Sequence, residues 1–305
     1  MLIFAISDKG GTGRSVTSTN IVYRHALQGN DVCYLDFDFG SPTAGAIFSV
    51  GSVARGTTRK GLHDYLLGEG APEPHRVDVW TESDREGLRT KPPGAGRLVL
   101  LPGNEGGGEL PAVEEETLRR CVQLFSRLDE EFDLVMVDVS AGRSFTAEMV
   151  LQATVRLPSV PFRWLVFHRW TRQHIIAADG LVTGADGLLD AGTRFGHDRN
   201  ALRDRIRFVR TAVLEPDAAE LVGLRDEQRA WLFACDTELR ELASRHKVGR
   251  TSMLGKIPLD PILQWREQLI SDEDVLASKI ANAETAAAFD DLAKKIVDDA
   301  AWEGL

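Results

Sequence analysis

Leu2-Ile3-Phe4-Ala5-Ile6-Ser7-Asp8-Lys9-Gly10-Gly11-Thr12-Gly13-Arg14-Ser15 is the stretch that decides the architecture. Leu2–Ile6 is a short unbroken apolar run, suited to a strand covered on both faces. Gly10, Gly11 and Gly13 then let the backbone curl tightly. From Ser15 to Leu27 the apolar residues Val16, Val22, Tyr23, Ala26 and Leu27 recur at roughly helical spacing, and Gly29 reads as the stop. Strand, glycine-rich turn and helix in that order place a ring of N–H groups at a strand's carboxyl end. With the helix N-terminus behind it, such a ring is an anion cradle.

Moving outward, Val32–Leu35 predicts a second strand that ends at Asp36-Phe37-Asp38. Residues 51–60 read as a mobile loop, Leu62–Leu67 as a short helix, and 68–96, with Pro72, Pro74, Pro92 and Pro93, as mostly loop. Leu98–Leu101 is a third strand, and the polar, glycine-rich 103–108 a candidate flexible loop. Regular alternation follows. Helices are expected over Glu114–Glu130, Ser144–Ala153, Gln173–Leu189, Ala218–Ser244 and Glu284–Ala301. Strands are expected over Leu134–Val137 (ending at Asp138), Trp164–Phe167, Ile206–Val213 and Ser252–Ile257. This pattern implies an α/β fold: a doubly wound, mainly parallel sheet with helices on both faces. With no internal repeat and no linker, residues 1–305 read as a single domain.

Composition narrows the function classes. The net charge of −10 repels free DNA and anionic membrane on average. Cys33, Cys121 and Cys235 are far apart, which excludes a disulfide framework or a metal knuckle. The apolar start is broken by Asp8 and Lys9 too soon for a signal peptide, and no run of about 18 apolar residues can span a bilayer. The expected location is cytoplasmic.

The turn departs twice from the strict P-loop pattern G-x-x-x-x-G-K-[ST], with Asp8 at the first position and Arg14 in place of the lysine. Lys9-Gly10-Gly11-Thr12-Gly13-Arg14-Ser15 nevertheless resembles the deviant P-loop of the ParA/MinD group of partitioning and positioning ATPases. Further landmarks of that family stand in its order over about residues 1–260: Asp36-Phe37-Asp38, the strand ending Leu101-Pro102-Gly103, the run Leu134-Val135-Met136-Val137-Asp138, and Leu254-Gly255-Lys256-Ile257-Pro258. The resemblance implies a P-loop NTPase-like fold binding ATP and Mg²⁺. Gly10, Gly11, Thr12, Gly13, Arg14, Ser15 and Val16 would hold the nucleotide, and Ser15 and Asp138 the metal. Lys9 would reach the partner's phosphates across a nucleotide-sandwich homodimer. Of Asp36 and Asp38, one would orient the attacking water and the other support the metal; the resemblance favours Asp38 for the water. Both could instead be strand-end carboxylates that cap helices.

Arg14 is the main departure, because a forked guanidinium does not replace a compact ammonium conservatively. It keeps the positive charge but weakens the case for hydrolysis. Asp138-Val139-Ser140-Ala141-Gly142 lacks the prolines the family often shows there, and Thr211 stands in the strand where the family often places an asparagine near the base. Arg199, Arg203, Arg205, Arg207 and Arg210 form a candidate DNA surface, with Arg203, Arg205 and Arg207 able to share a strand face. A second basic group is Arg163, His168, Arg169, Arg172 and His174. The alternative is a solvated charged face balanced by Asp198 and Asp204. The tail carries Asp290, Asp291, Asp298, Asp299 and Glu303 against Lys294 and Lys295, which argues against membrane binding and leaves Trp302 as a packing or partner contact. The expected function is an ATP-dependent dimerising switch that positions DNA or a protein cargo, with weak ATP hydrolysis. The alternative is a non-hydrolysing regulator or scaffold. A metabolic synthetase or kinase is disfavoured, since it would have no use for Lys9.

Overall fold

The computed structural model describes residues 1–69, 72–110, 112–214, 221 and 223–303. Within them the chain runs β1 (Leu2–Ile6), α1 (Arg14–Leu27), β2 (Val32–Phe37), α2 (Ala44–Ile47), α3 (Leu62–Leu67), β3 (Val77–Asp78), α4 (Val79–Glu82), β4 (Leu98–Leu101), α5 (Glu115–Glu131) and β5 (Leu134–Val139). It continues through α6 (Phe145–Val155), β6 (Phe162–Arg169), α7 (Arg172–Thr183), α8 (Leu188–Phe195), α9 (Arg199–Asp204), β7 (Ile206–Val213) and α10 (Asp226–Arg245). β8 (Met253–Pro258), α11 (Pro261–Trp265), α12 (Asp272–Leu276) and α13 (Ala283–Lys295) complete it.

The strands form one eight-stranded sheet in the order β3-β4-β2-β5-β1-β6-β7-β8. All adjacent pairs are parallel except β3 with β4 at one edge. Side chains alternate between the two faces of each strand. In β1 this sends Leu2, Phe4 and Ile6 into a core with α5, α6, α7 and α8. Ile3 and Ala5 go into the opposite core with α1 and α13. The expected doubly wound architecture is therefore what the chain adopts. β1 lies near the centre of the sheet, so its carboxyl end opens where the connections diverge to either side.

Several expectations need correction. The helix expected over Gln173–Leu189 is two helices, α7 and α8, because Gly184 and Gly187 break it with extended backbones. A Cβ on Gly184 would sit 2.6 Å from the Gly180 carbonyl oxygen, so the break needs glycine there. The helix expected from Ala218 begins at Asp226; residues 218–220 and 222 lie outside the described residues. The tail helix ends at Lys295, followed by a single tight turn over Asp299–Trp302. Residues 51–60, expected to be a mobile loop, are tied down: Thr57 N donates to Gly103 O at 2.8 Å, and Glu105 N donates to Thr57 O at 3.0 Å. The stretch expected to be mostly loop contains the edge strand β3 and the helix α4.

The basic cluster also sorts differently. Arg199 and Arg203 belong to α9 and Arg205 caps it, so only Arg207 and Arg210 lie on β7. Arg199 pairs with Asp190 at 2.6 Å, and Arg205 lies over the Phe162 ring at 4.3 Å. Arg207 is buried. Trp302 sits between two guanidiniums, Arg163 at 4.7 Å and Arg207 at 5.2 Å from its ring centre. Its Nε1 donates to Lys295 O at 3.0 Å. Trp302 is thus a packing residue that pins the tail under the sheet, and Arg203, Arg205 and Arg207 share no face. The second basic group is split as well: Arg163 lies near the start of β6, and His168 and Arg169 at its end. No described helix is long and apolar enough to cross a membrane.

Candidate phosphate site

The glycine-rich turn follows β1 directly. Gly11 (φ 71°) and Gly13 (φ 76°) occupy the left-handed region, where a side chain is strained. Gly13 is the N-cap residue, immediately before α1. No atom beyond its chain neighbours lies within 4 Å of where a Cβ would stand on Gly10 or Gly11, so this side of the turn faces open space. The turn is held from below. Ser7 Oγ donates to Lys9 O at 2.9 Å, Gly142 N donates to Ser7 O at 2.7 Å, and Thr211 Oγ1 donates to the buried carbonyl of Thr12. Lys9 is exposed at the tip of the turn, and Val16 is half-buried behind it. The backbone of Gly10–Gly13 thus stands together at the amino end of α1, where N–H groups and the helix dipole favour an anion, while the Arg14 side chain, also expected there, turns to the carboxylates described below.

Two carboxylates arrive from neighbouring strands. β2 and β5 pair in a register that sets Asp36 opposite Asp138. Each shares its strand face with a residue packed on the α1 side, Tyr34 in β2 and Met136 in β5. Asp138 is 1% exposed, and Asp38, just beyond β2, is partly exposed. The Asp36 carboxyl is engaged by the backbone: its Oδ2 accepts from Ala44 N at 3.0 Å, at the start of α2. Burial, reinforced by Asp138, holds the Asp36 carboxyl well above the ordinary carboxylate range. Of the two roles open to Asp36, water or metal partner and helix cap, this geometry gives it the cap.

Arg14, the first residue of α1, folds its side chain back between the other two carboxylates and is 6% exposed. Its Nε lies 2.5 Å from Asp138 Oδ1, and its Nη2 lies 2.7 Å from Asp38 Oδ2. Ser15 hydrogen-bonds Asp138, and its Oγ is 3.5 Å from Arg14 Nη2. Burial works against the guanidinium's charge, but Asp138 and Asp38 outweigh it and hold Arg14 above the ordinary arginine value. Burial also pushes the Asp138 carboxyl up, with Arg14 the largest opposing influence. Tyr34, which the sequence did not single out, completes the network: its hydroxyl donates to Asp138 Oδ2 at 2.8 Å and lies 2.9 Å from Ser18 Oγ. Its sequence signal is a lone hydroxyl in an apolar strand, two residues before Asp36 and so on the same face.

The fit of a divalent cation can be tested on this arrangement. The oxygens proposed for Mg²⁺ are those of Ser15 and Asp138, with Asp38 nearby. All three now surround a guanidinium that is itself cationic. Mg²⁺ demands near-octahedral oxygen ligands at about 2.0–2.1 Å. The residues as arranged do not fit the metal; they already hold a cation. Among the described residues no cluster of three or more histidine, cysteine or acidic side chains could hold a metal ion.

Beside the cradle lies a pocket of about 220 Å³ lined in part by Thr12, Gly13, Thr211, Pro258, Leu263 and Gln264. Thr211 is the residue in question for adenine recognition, and its hydroxyl proton is spent on the turn's own backbone. A wider groove of about 600 Å³ runs between Trp170 and the exposed helix α10, meeting the smaller pocket at Ala212.

No protein-family model matches the sequence, and no curated protein matches it. Solved structures do. A septum site-determining protein MinD of Pyrococcus horikoshii, complexed with Mg-ADP, aligns over 98% of each chain with a TM-score of 0.56 at 17% identity. MinD in a MinC:MinD cell division complex of Aquifex aeolicus aligns over 97% of this chain and 95% of that one, with a TM-score of 0.60 at 18% identity. A plasmid partition protein of Borrelia burgdorferi bound to AMPPNP aligns over 96% of each chain, with a TM-score of 0.59 at 14% identity. At these identities the likeness speaks for architecture, and near-complete coverage in each case leaves little of either chain outside it: the chain has the fold of the MinD and ParA-type P-loop ATPases.

Proposed function

We propose that the chain is a nucleotide-binding switch of the ParA/MinD kind. A nucleoside triphosphate seated on the turn would bring two copies together, and the pair would position a protein cargo or DNA. The observation that carries this reading is the cradle: two left-handed glycines, open space over the turn, and an exposed Lys9 at its tip. A lysine exposed at that tip would be available to a second copy's phosphates. Neighbours of the same fold support it, one bound to Mg-ADP, one to AMPPNP, and one in complex with the protein MinC. A protein partner fits this chain better than DNA, since most of the basic cluster is engaged internally.

A second reading, a regulator that binds nucleotide without hydrolysing it, is favoured by one contact. Asp38, the residue expected to orient the water, is ion-paired to Arg14 at 2.7 Å. Hydrolysis is accordingly expected to be slow or absent. Light scattering separates the readings. A mass that doubles with ATP, returns to monomer with ADP, and no longer changes in Lys9→Ala supports the switch. A mass that is the same with either nucleotide refutes it.

A further inference from the structure

We infer that Arg14 is the resident cation of this site, so that the acidic pair Asp38 and Asp138 takes no divalent metal and any nucleotide binds there without one. The inference deepens the proposed function, since it fixes how the same cradle is charged.

The carrying observation is a juxtaposition. One guanidinium, 6% exposed, closes on Asp138 through Nε and on Asp38 through Nη2, at 2.5 and 2.7 Å. Arginine suits this role where lysine would not. Its planar, delocalised charge can face two carboxylates at once, here donating from Nη2 to Asp38 while Nε meets Asp138 as an ion pair, and it stays charged when buried. A lysine begun at the same helix position carries a single compact charge and follows phosphate. The network beneath is built for a fixed cation. The Tyr34 hydroxyl donates to the second oxygen of Asp138, and Ser18 stands behind Tyr34. Asp36, the remaining carboxylate, accepts from Ala44 N at the start of α2, so Arg14's ion pairs are with Asp38 and Asp138. A divalent ion entering here would have to expel a paired guanidinium from a buried site and then sit beside its charge.

The backbone cradle and the exposed Lys9 are untouched by this arrangement. Phosphate binding within one chain then rests on the N–H groups and the α1 dipole, and affinity for a nucleotide should not depend on Mg²⁺.

The test uses the full chain and two probes. Mn²⁺ binding is followed by electron paramagnetic resonance, with and without ADP, and ADP affinity is measured by calorimetry in MgCl₂ and in EDTA. The expected result is no protein-bound Mn²⁺ signal beyond that of ADP itself, and ADP affinities within about threefold in the two buffers, a difference under 1 kcal/mol. In Arg14→Lys, which can hold at most one of the carboxylates but keeps a charge, Mn²⁺ should become protein-bound and ADP should bind about tenfold or more tightly with Mg²⁺ than without. Arg14→Gln serves if the lysine variant fails to fold, and should bind Mn²⁺ even without nucleotide. The inference is overturned if the unaltered chain binds Mn²⁺ in a way that Asp138→Asn abolishes, if Mg²⁺ tightens its ADP binding about tenfold or more, or if neither Arg14 variant gains Mn²⁺. Should ADP bind in neither buffer, the nucleotide reading falls while the Mn²⁺ comparison still decides the cation's identity.

Discussion

Removing the Asp138 charge tests the site's electrostatics through stability alone. Asp138→Asn keeps the shape and the Tyr34 contact but strips Arg14 of its closest partner, 2.5 Å away in a buried setting. Breaking a buried ion pair from one side costs about 3–5 kcal/mol, because the remaining charge is stranded. Here Arg14 keeps Asp38 at 2.7 Å, and Asp38 is 26% exposed, which offers partial relief. The expected loss is therefore at the lower end, about 3 kcal/mol. A chain of 305 residues unfolds with an entropy of roughly 0.6 kcal/mol/K, so Tm should fall by about 5 °C. Arg14→Met alone leaves Asp138 buried without a cation and should cost a similar amount. The double variant Arg14→Met/Asp138→Asn removes both charges and should recover part of the loss, with a coupling of roughly 2 kcal/mol in the cycle. Urea unfolding followed by circular dichroism, in EDTA throughout, measures all four chains. A cost below about 1 kcal/mol for Asp138→Asn, or a double variant equal to the sum of its singles, would refute the claim that Arg14 is paired in the folded chain.

Three other expectations follow from the packing. Trp302→Ala empties the slot between Arg163 and Arg207 and should cost about 3–5 kcal/mol in urea unfolding, with Trp302→Phe recovering much of it. Gly96→Ala would put a Cβ 1.9 Å from the Asn30 carbonyl oxygen, with no flexible side chain to give way; a loss of about 1–3 kcal/mol, read as a lower Tm, is expected. His168 is 1% exposed, and burial, aided by Arg210 and His174, pushes it down to about 4. A depressed histidine means that the unfolded chain takes the proton first, so its contribution to stability is lost as pH falls from about 6.5 towards 4. Between pH 7 and pH 5 this one group should remove about 2 kcal/mol, and His168→Phe should flatten that part of the urea-midpoint profile.

Much of the fold is legible because parallel strands covered on both faces leave plain apolar runs. Leu2–Ile6, Leu98–Leu101 and Ile206–Val213 were bounded in the sequence as they stand in the molecule. What escaped has local causes. β3 is two residues long, too short for any period to register. The break between α7 and α8 depends on a carbonyl of the preceding turn lying where a Gly184 side chain would go, and apolar spacing carries straight through it. Alternation misled at Arg203–Arg207, because the first two of those arginines precede the strand and only the third is on it.

The candidate site divides along the same line. Its backbone part, the glycines and the helix start, is written in residues 7–15, since a left-handed turn at a strand's end needs those glycines in that order. Its electrostatic part is not local. The sequence shows that Arg14 keeps a positive charge; it does not show which acceptor that charge meets. The acceptor is chosen by the pairing of β2 with β5, which brings Asp138 beside Asp36 across 102 residues of chain, and by Asp36 turning to Ala44 N. Once those strands are paired, the fork of an arginine finds two carboxylates at the spacing it can bridge, whereas a lysine could satisfy only one and would be drawn to phosphate. A single substitution that looks like a weakened phosphate ligand in the sequence is therefore, in the folded chain, a change of cation. That is why the metal, and not the nucleotide, is the part of the family resemblance that this structure calls into question.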